Sequence, residues 1–127
     1  MNNLSIRRAH LLASLIALLL CGAATAADGM LKKVDGVLVN GAGMTVYTFD
    51  KDVAGSGKSM CNGPCASAWP AVPAPADAAP PYSVVTRDDG SKQLAYNGKP
   101  LYLFSKDSKP GERSGDDVKQ VWHVVKD

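Results

Sequence analysis

Residues that carry chemistry are scarce in this 127-residue chain. It has two histidines and three cysteines, and one of each, His10 and Cys21, falls within an N-terminal leader. That leaves His123 alone, too little for a Ser-His-Asp relay in a chain without a Gly-x-Ser-x-Gly elbow. A structural zinc site wants four nitrogen or sulfur ligands, which the remaining His and Cys do not supply. Excess charge of one sign is also missing. The 14 basic residues include Arg7 and Arg8, and all 12 acidic residues lie at or beyond Asp28, so 12 face 12 outside the leader. The pI of about 8.4 therefore comes from the leader and gives no ground for nucleic-acid binding. Beyond Leu11 to Leu20 there is no long apolar run, and that run is short of the roughly 18 residues that span a bilayer. No transmembrane span is expected, and the chain reads as a non-enzyme.

The leader has the layout of an export signal. Arg7-Arg8 form a basic start, Leu11 to Leu20 an apolar middle, and Ala24-Thr25-Ala26 a small-x-small cleavage pattern. Residues 1–26 are read as a signal peptide and 27–127 as a single β-rich domain in the periplasm or outside the cell. Lipidation at Cys21 is the alternative and would tether the domain to the outer membrane. The residue before it, Leu20, is larger than the small residue such sites carry. Membrane association is expected only if Cys21 is lipidated.

What the chain does have is one hexapeptide written twice: Tyr47-Thr48-Phe49-Asp50-Lys51-Asp52 and Tyr102-Leu103-Phe104-Ser105-Lys106-Asp107. Side chains two apart on a strand share a face, so Tyr47 with Phe49 and Tyr102 with Phe104 are expected to anchor a strand. Asp52 and Asp107 then follow it, placed to accept backbone N–H groups and set a turn. A second reading brings the Tyr hydroxyls and Asp carboxylates of both copies together in a ligand groove. The flanking pattern repeats too. Leu31–Val34 and Val37–Asn40 flank Asp35-Gly36 and lead to Met44–Phe49; Tyr82–Arg87 and Lys92–Tyr96 flank Asp88-Asp89-Gly90 and lead through Asn97-Gly98 to Leu101–Phe104. Trp69-Pro70-Ala71-Val72 is matched by Trp122-His123-Val124-Val125. The expected fold is mainly β: two antiparallel meander units, about 30–72 and 82–127, packed as one small domain because neither buries a face alone. Pro70 to Pro81 is expected to be an extended connector.

One segment breaks the repetition. Cys61-Asn62-Gly63-Pro64-Cys65 has no counterpart in the second half, and a short helix is expected from Cys65 to Trp69. In an oxidising compartment the default is a Cys61–Cys65 disulfide, stabilising by roughly 2 kcal/mol because the closed loop is short. Two other readings stay open. Met60, Cys61 and Cys65 offer soft ligands suited to Cu(I), with His123 as a further candidate. Cys65 at a helix start would have its thiolate stabilised, as in thiol-disulfide oxidoreductases, although the spacing is C-x3-C. Gly55-Ser56-Gly57-Lys58-Ser59 ends like a phosphate-binding loop, but Asp52 stands where its first glycine belongs.

The two hexapeptides, the C-x-G-x-C-A-x-x-W-P run from Cys61 to Pro70 and the ending from Gly115-Asp116 to Trp122-His123-Val124 together resemble the bacterial secreted-repeat family of predicted lipoproteins. That family is described by a Tyr-x-(Phe/Trp/Tyr)-x-x-Asp motif, and the resemblance covers Leu38 to Val125. It implies an exported envelope protein, often lipid-anchored, whose biochemical function is not established. Leu94 departs from the pattern where a Trp is often found. The chain is read as a binding or interaction module for an envelope protein or small ligand, with copper binding and thiol-disulfide exchange as the alternatives.

Overall fold

The computed structural model describes residues 31–126. The leader, its cleavage site and Cys21 lie outside the described residues. The fold is mainly β, as expected, in small sheets with one short helix. In chain order the elements are β1 (Lys32–Val34), β2 (Val37–Val39), β3 (Tyr47–Phe49), α1 (Pro64–Ala68), β4 (Tyr82–Thr86), β5 (Lys92–Tyr96), β6 (Lys99–Pro100), a 3-10 turn (Val118–Gln120) and β7 (Trp122–Val124). Helix α1 starts at Pro64, where a missing N–H costs nothing, and ends when the Trp69 N–H bonds the Cys65 carbonyl at 2.8 Å.

The turn chemistry fixes the hairpins. Asp35 and Gly36 have φ of 52° and 77°, the paired positive values of a type I′ turn, and β1 pairs with β2 across them from Val34 opposite Val37. Asn97 and Gly98, at 50° and 80°, join β5 to β6 in the same way. The longer Asp88-Asp89-Gly90 turn joins β4 to β5, with Asp89 Oδ1 accepting from the Ser91 N–H at 2.9 Å.

Beyond the hairpins, pairing runs between the repeats. The expected strand Met44–Phe49 is regular only from Tyr47, and β3 pairs antiparallel with β7 of the second repeat, Tyr47 opposite Val124 and Phe49 opposite Trp122. In the mirror arrangement, the segment after Trp69 pairs with the second hexapeptide: Leu103 N–H to Pro70 O at 2.7 Å, Val72 N–H to Leu101 O at 3.0 Å and Ser105 N–H to Ala68 O at 2.9 Å. The same segment also binds β5, with Leu94 N–H on Val72 O at 2.8 Å. Its counterpart is Leu38 N–H on Val125 O at 2.9 Å. Each repeat thus gives its last strand to the other. At the centre Tyr47 and Tyr102 exchange both backbone bonds, at 2.8 and 2.9 Å, as an antiparallel pair.

This exchange corrects two expectations. Leu101–Phe104 does not extend β6, because after Leu101 the chain leaves its own sheet for partners on the first repeat. Pro70–Pro81 is not a plain connector: Ala71 bridges Tyr102 and Pro73 bridges Gln93, so the run through Ala74 is held by hydrogen bonds to the second repeat.

The core divides in two. One cluster is aliphatic and formed by Leu38, Val46, Val72, Leu94 and Leu101, again drawn from both repeats. The other is aromatic, centred on Tyr47, Trp69, Tyr102 and Trp122. Gly115 is buried against the second: a Cβ there would lie 2.7 Å from the Trp69 ring and 2.9 Å from that of Tyr47. These rings are held by neighbours on every side and have no free end to move. Gly115→Ala is therefore expected to destabilise the protein by about 2 kcal/mol through overpacking. Guanidinium unfolding of the variant measures this, and an unchanged midpoint would refute the packing assigned to Gly115.

Candidate functional site

The Tyr and Asp of the two hexapeptides meet, and they do so crosswise. Tyr47 donates its hydroxyl hydrogen bond to Asp107 Oδ2 at 2.6 Å, and Tyr102 donates to Asp52 Oδ2 at 2.5 Å. Each carboxylate uses its other oxygen for a backbone N–H: Asp107 Oδ1 accepts from Ser114 at 2.9 Å, and Asp52 Oδ1 from Met60 at 2.6 Å. Each Asp thus sets its own loop while holding the Tyr of the other copy. Both tyrosines and Asp107 are buried, while Asp52 is half-buried.

The rings repeat the crossing. Phe49 stacks on Trp122 with centroids 4.2 Å apart, Trp122 on Trp69 at 3.7 Å and 3° between planes, and Trp69 on Phe104 at 4.1 Å. The result is a column of four rings that alternates between the repeats. Tyr47 meets Trp69 edge-on at 5.4 Å and Tyr102 meets Trp122 edge-on at 5.1 Å. Offset and edge-on ring pairs each add about 1 kcal/mol beyond area burial. Tyr47, Phe49, Tyr102 and Phe104 all face the one aromatic cluster, and the ring contacts run across the copies, Tyr47 with Phe104 at 6.3 Å and Tyr102 with Phe49 at 6.4 Å. The rings pair across copies because the Tyr47–Tyr102 backbone pair lays one strand beside the other.

Three further polar residues, Ser59 of the first repeat and Arg87 and Gln93 of the second, surround the Tyr102–Asp52 pair. Tyr102 has one hydroxyl proton and gives it to Asp52, so Ser59 Oγ donates to the Tyr102 oxygen at 2.6 Å. The Ser59 oxygen in turn accepts from Arg87 Nη1 at 3.0 Å and from the Cys61 N–H at 3.1 Å. Arg87, only 8% exposed, also donates to Gln93 Oε1 at 2.7 Å and to the Cys61 carbonyl. Gln93 Nε2 donates to Leu101 O at 2.7 Å. In sequence Arg87 adjoins Asp88-Asp89-Gly90 and reads as a turn-flanking surface charge. Only the fold turns it toward the cysteine loop.

Cys61 and Cys65 form the expected disulfide, with Cα atoms 5.2 Å apart. Cys61 is buried in the aromatic cluster, while Cys65 is partly exposed. Copper ligation by these sulfurs would require the bridge to be reduced first, whereas thiol exchange would begin with attack of an external thiolate on the bridge itself. Met60 is 63% exposed. Among the described residues no three or more His, Cys, Asp or Glu are grouped to hold a metal ion. His123, on β7 opposite Thr48, places Nε2 2.8 Å from Asp50 Oδ2, with the side chains 39% and 53% exposed. Both line a small open cleft with Lys99 and Lys126.

The segment described above as unmatched does have a structural counterpart. Cys65 and Ala68 of the first repeat, and Val118 and Val121 of the second, all pack against the aromatic cluster. Between α1 and the 3-10 turn lies a groove of about 410 Å³. Trp69 and Trp122 form its floor with Phe49 beside them, and Lys51 and Lys119 line it as well.

A family model described as a secreted repeat of unknown function matches the chain twice, over residues 26–73 and 83–126. The chain belongs to this secreted-repeat family. The matches coincide with the two units whose strands interchange. No curated protein and no solved structure matches the chain. Among the described residues of this family member, no helix is long and apolar enough to cross a membrane.

Burial, followed by the hydrogen bond to Asp107 in one case and Asp52 in the other, pushes the hydroxyls of Tyr47 and Tyr102 far above the ordinary tyrosine value of 10.0. Burial likewise raises Asp52, against the opposing hydrogen bonds from Tyr102 and Met60 and the charge of Arg87. Above pH 10.0 the folded protein therefore keeps protons that the unfolded chain loses, so the tyrosine contribution is complete below that pH and is lost as pH rises. Denaturation midpoints measured from pH 8 upward should fall beyond pH 10.0, and less steeply in Tyr47→Phe. At neutral pH Tyr47→Phe and Tyr102→Phe should each cost about 2 kcal/mol, because a carboxylate loses its buried donor. In a double-mutant cycle Tyr47 should couple to Asp107 and not to Asp52; coupling within one copy instead would refute the crossing.

Proposed function

We propose that this protein is an exported, non-catalytic binding module of the cell envelope. The observation that carries this reading is the groove between the repeats: an indole-floored surface groove in a molecule whose two Tyr–Asp pairs are spent on internal hydrogen bonds. Tyr47–Asp107 and Tyr102–Asp52 are fully engaged with each other and with backbone N–H groups, so they brace the groove floor. Concave sites walled by aromatic and aliphatic side chains with a few polar groups are the usual form of ligand sites. The family's description as secreted agrees with export. We further propose that the leader is cleaved near Ala27, leaving the protein free of lipid. Lipidation at Cys21 is the competing outcome.

The test is a titration of isotope-labelled protein with a small-molecule extract of envelopes from cells lacking it, followed by amide shifts and by mass spectrometry of the extract. Saturable shifts without chemical conversion of any component are expected. Conversion of a component, abolished by a point substitution in the protein, would overturn the reading. Intact mass of the exported protein is expected to show an N-terminus near Ala27, and a lipid-bearing Cys21 would overturn the cleavage assignment.

A further inference from the structure

We propose that the groove over the Trp69–Trp122 stack binds a small planar anion, an aromatic or conjugated ring carrying a carboxylate or sulfonate. The inference rests on the reading of the protein as a binding module and gives that module a site and a ligand class.

Three observations carry it. The first is shape: the groove of about 410 Å³ falls within the range of small-ligand sites and has room for a one- or two-ring molecule. A partner helix or strand would need a longer trough. The second is the lining, which is apolar on both flanks and aromatic at the base, so a flat ring finds contact on several sides. The third is charge. Lys51 and Lys119 are the charged residues of the lining, no carboxylate is among them, and both lysines are exposed. A ring held against the apolar walls would bring its anionic substituent to these two ammonium groups, whose attractions add. A cationic ligand would meet the same field as repulsion.

The backbone around Lys119 reinforces the assignment. Asp117, Lys119 and Gln120 have φ of 65°, 50° and 60°, so three non-glycine residues within four occupy the left-handed region. Such conformations persist where surrounding structure enforces them, and they gather at ligand sites. Here they belong to the turn that forms one wall and carries a groove lysine. The two repeats also differ at this point. Lys51 lines the groove, whereas Lys106, its equivalent in the second hexapeptide, does not, which makes Lys106 an internal control.

The test uses the whole exported protein and three probes of one ring system: 2-naphthoate, neutral 2-naphthalenemethanol and cationic 2-naphthylmethylamine. Binding is read by indole fluorescence and amide shifts. Saturable binding of 2-naphthoate is expected, with shifts centred on Phe49, Ala68, Val118 and Val121. The neutral probe should bind at least 10-fold more weakly, and the amine not measurably. Lys51→Gln combined with Lys119→Gln should weaken 2-naphthoate at least 10-fold and leave the neutral probe and thermal midpoint unchanged, while Lys106→Gln changes nothing. Equal affinity for all three probes, or insensitivity of 2-naphthoate to the double substitution, would overturn the inference. So would an envelope ligand whose shifts map to the His123–Asp50 cleft with no ring binding in the groove; that result would leave the binding-module reading standing.

Discussion

Everything in this fold hangs on the backbone exchange between Tyr47 and Tyr102. Two reciprocal hydrogen bonds set the equivalent strands of the two repeats side by side and antiparallel, as if around an approximate two-fold axis. Once that pair is made, the crossed Tyr–Asp bonds, the alternating ring column and the exchange of last strands follow from geometry. Each tyrosine lies beside the other copy, so its hydroxyl reaches the other copy's carboxylate. Each Trp-bearing strand likewise pairs with the other repeat's hexapeptide. A single repeat would hold an unpaired strand edge and one half of a ring stack. Such an edge is a liability, and two short strands with one apolar face are marginal alone. Duplication with exchange solves both problems without a long strand or a large core.

The same symmetry explains where the molecule is able to differ. The Cys61–Cys65 loop and the 117–120 turn occupy related places over the aromatic cluster, but one is closed by a disulfide and backed by Arg87, while the other is held by left-handed residues and the glycine at 115. Different solutions to one packing problem leave unlike walls around one floor. That asymmetry gives the groove its unlike apolar flanks and Lys119, and function in general is set by such local differences more than by a shared scaffold.

Much of the construction was legible beforehand. Asp35-Gly36 marked a hairpin because Asx followed by glycine is the pair that most readily takes two positive φ values in succession. The Cys65–Trp69 segment marked the helix, which the structure begins one residue earlier, at Pro64. Two cysteines four residues apart in an exported chain marked the bridge. Less legible were the partners of long-range contacts. Alternation along Tyr47-Thr48-Phe49 says that Tyr47 and Phe49 share a face, but it does not say that Phe49 will lie on Trp122. Arg87 and Ser59 gave no signal, since a basic residue beside a turn and a serine before a cysteine loop look like ordinary surface residues.

The sequence by itself determined the repeat, the turns and the mainly β class and made the disulfide the default, because these depend on residues near one another along the chain. Tertiary structure alone decided that the repeats interchange their strands, that the tyrosines bond across copies and that two tryptophans 53 positions apart stack at 3.7 Å beneath a groove. The physical reason is that strand pairing is chosen by which unpaired backbone edges and apolar faces can be satisfied together. Both repeats carry nearly the same pattern, so local sequence offers each strand two near-equivalent partners. The choice falls to the arrangement that buries both aromatic sets at once.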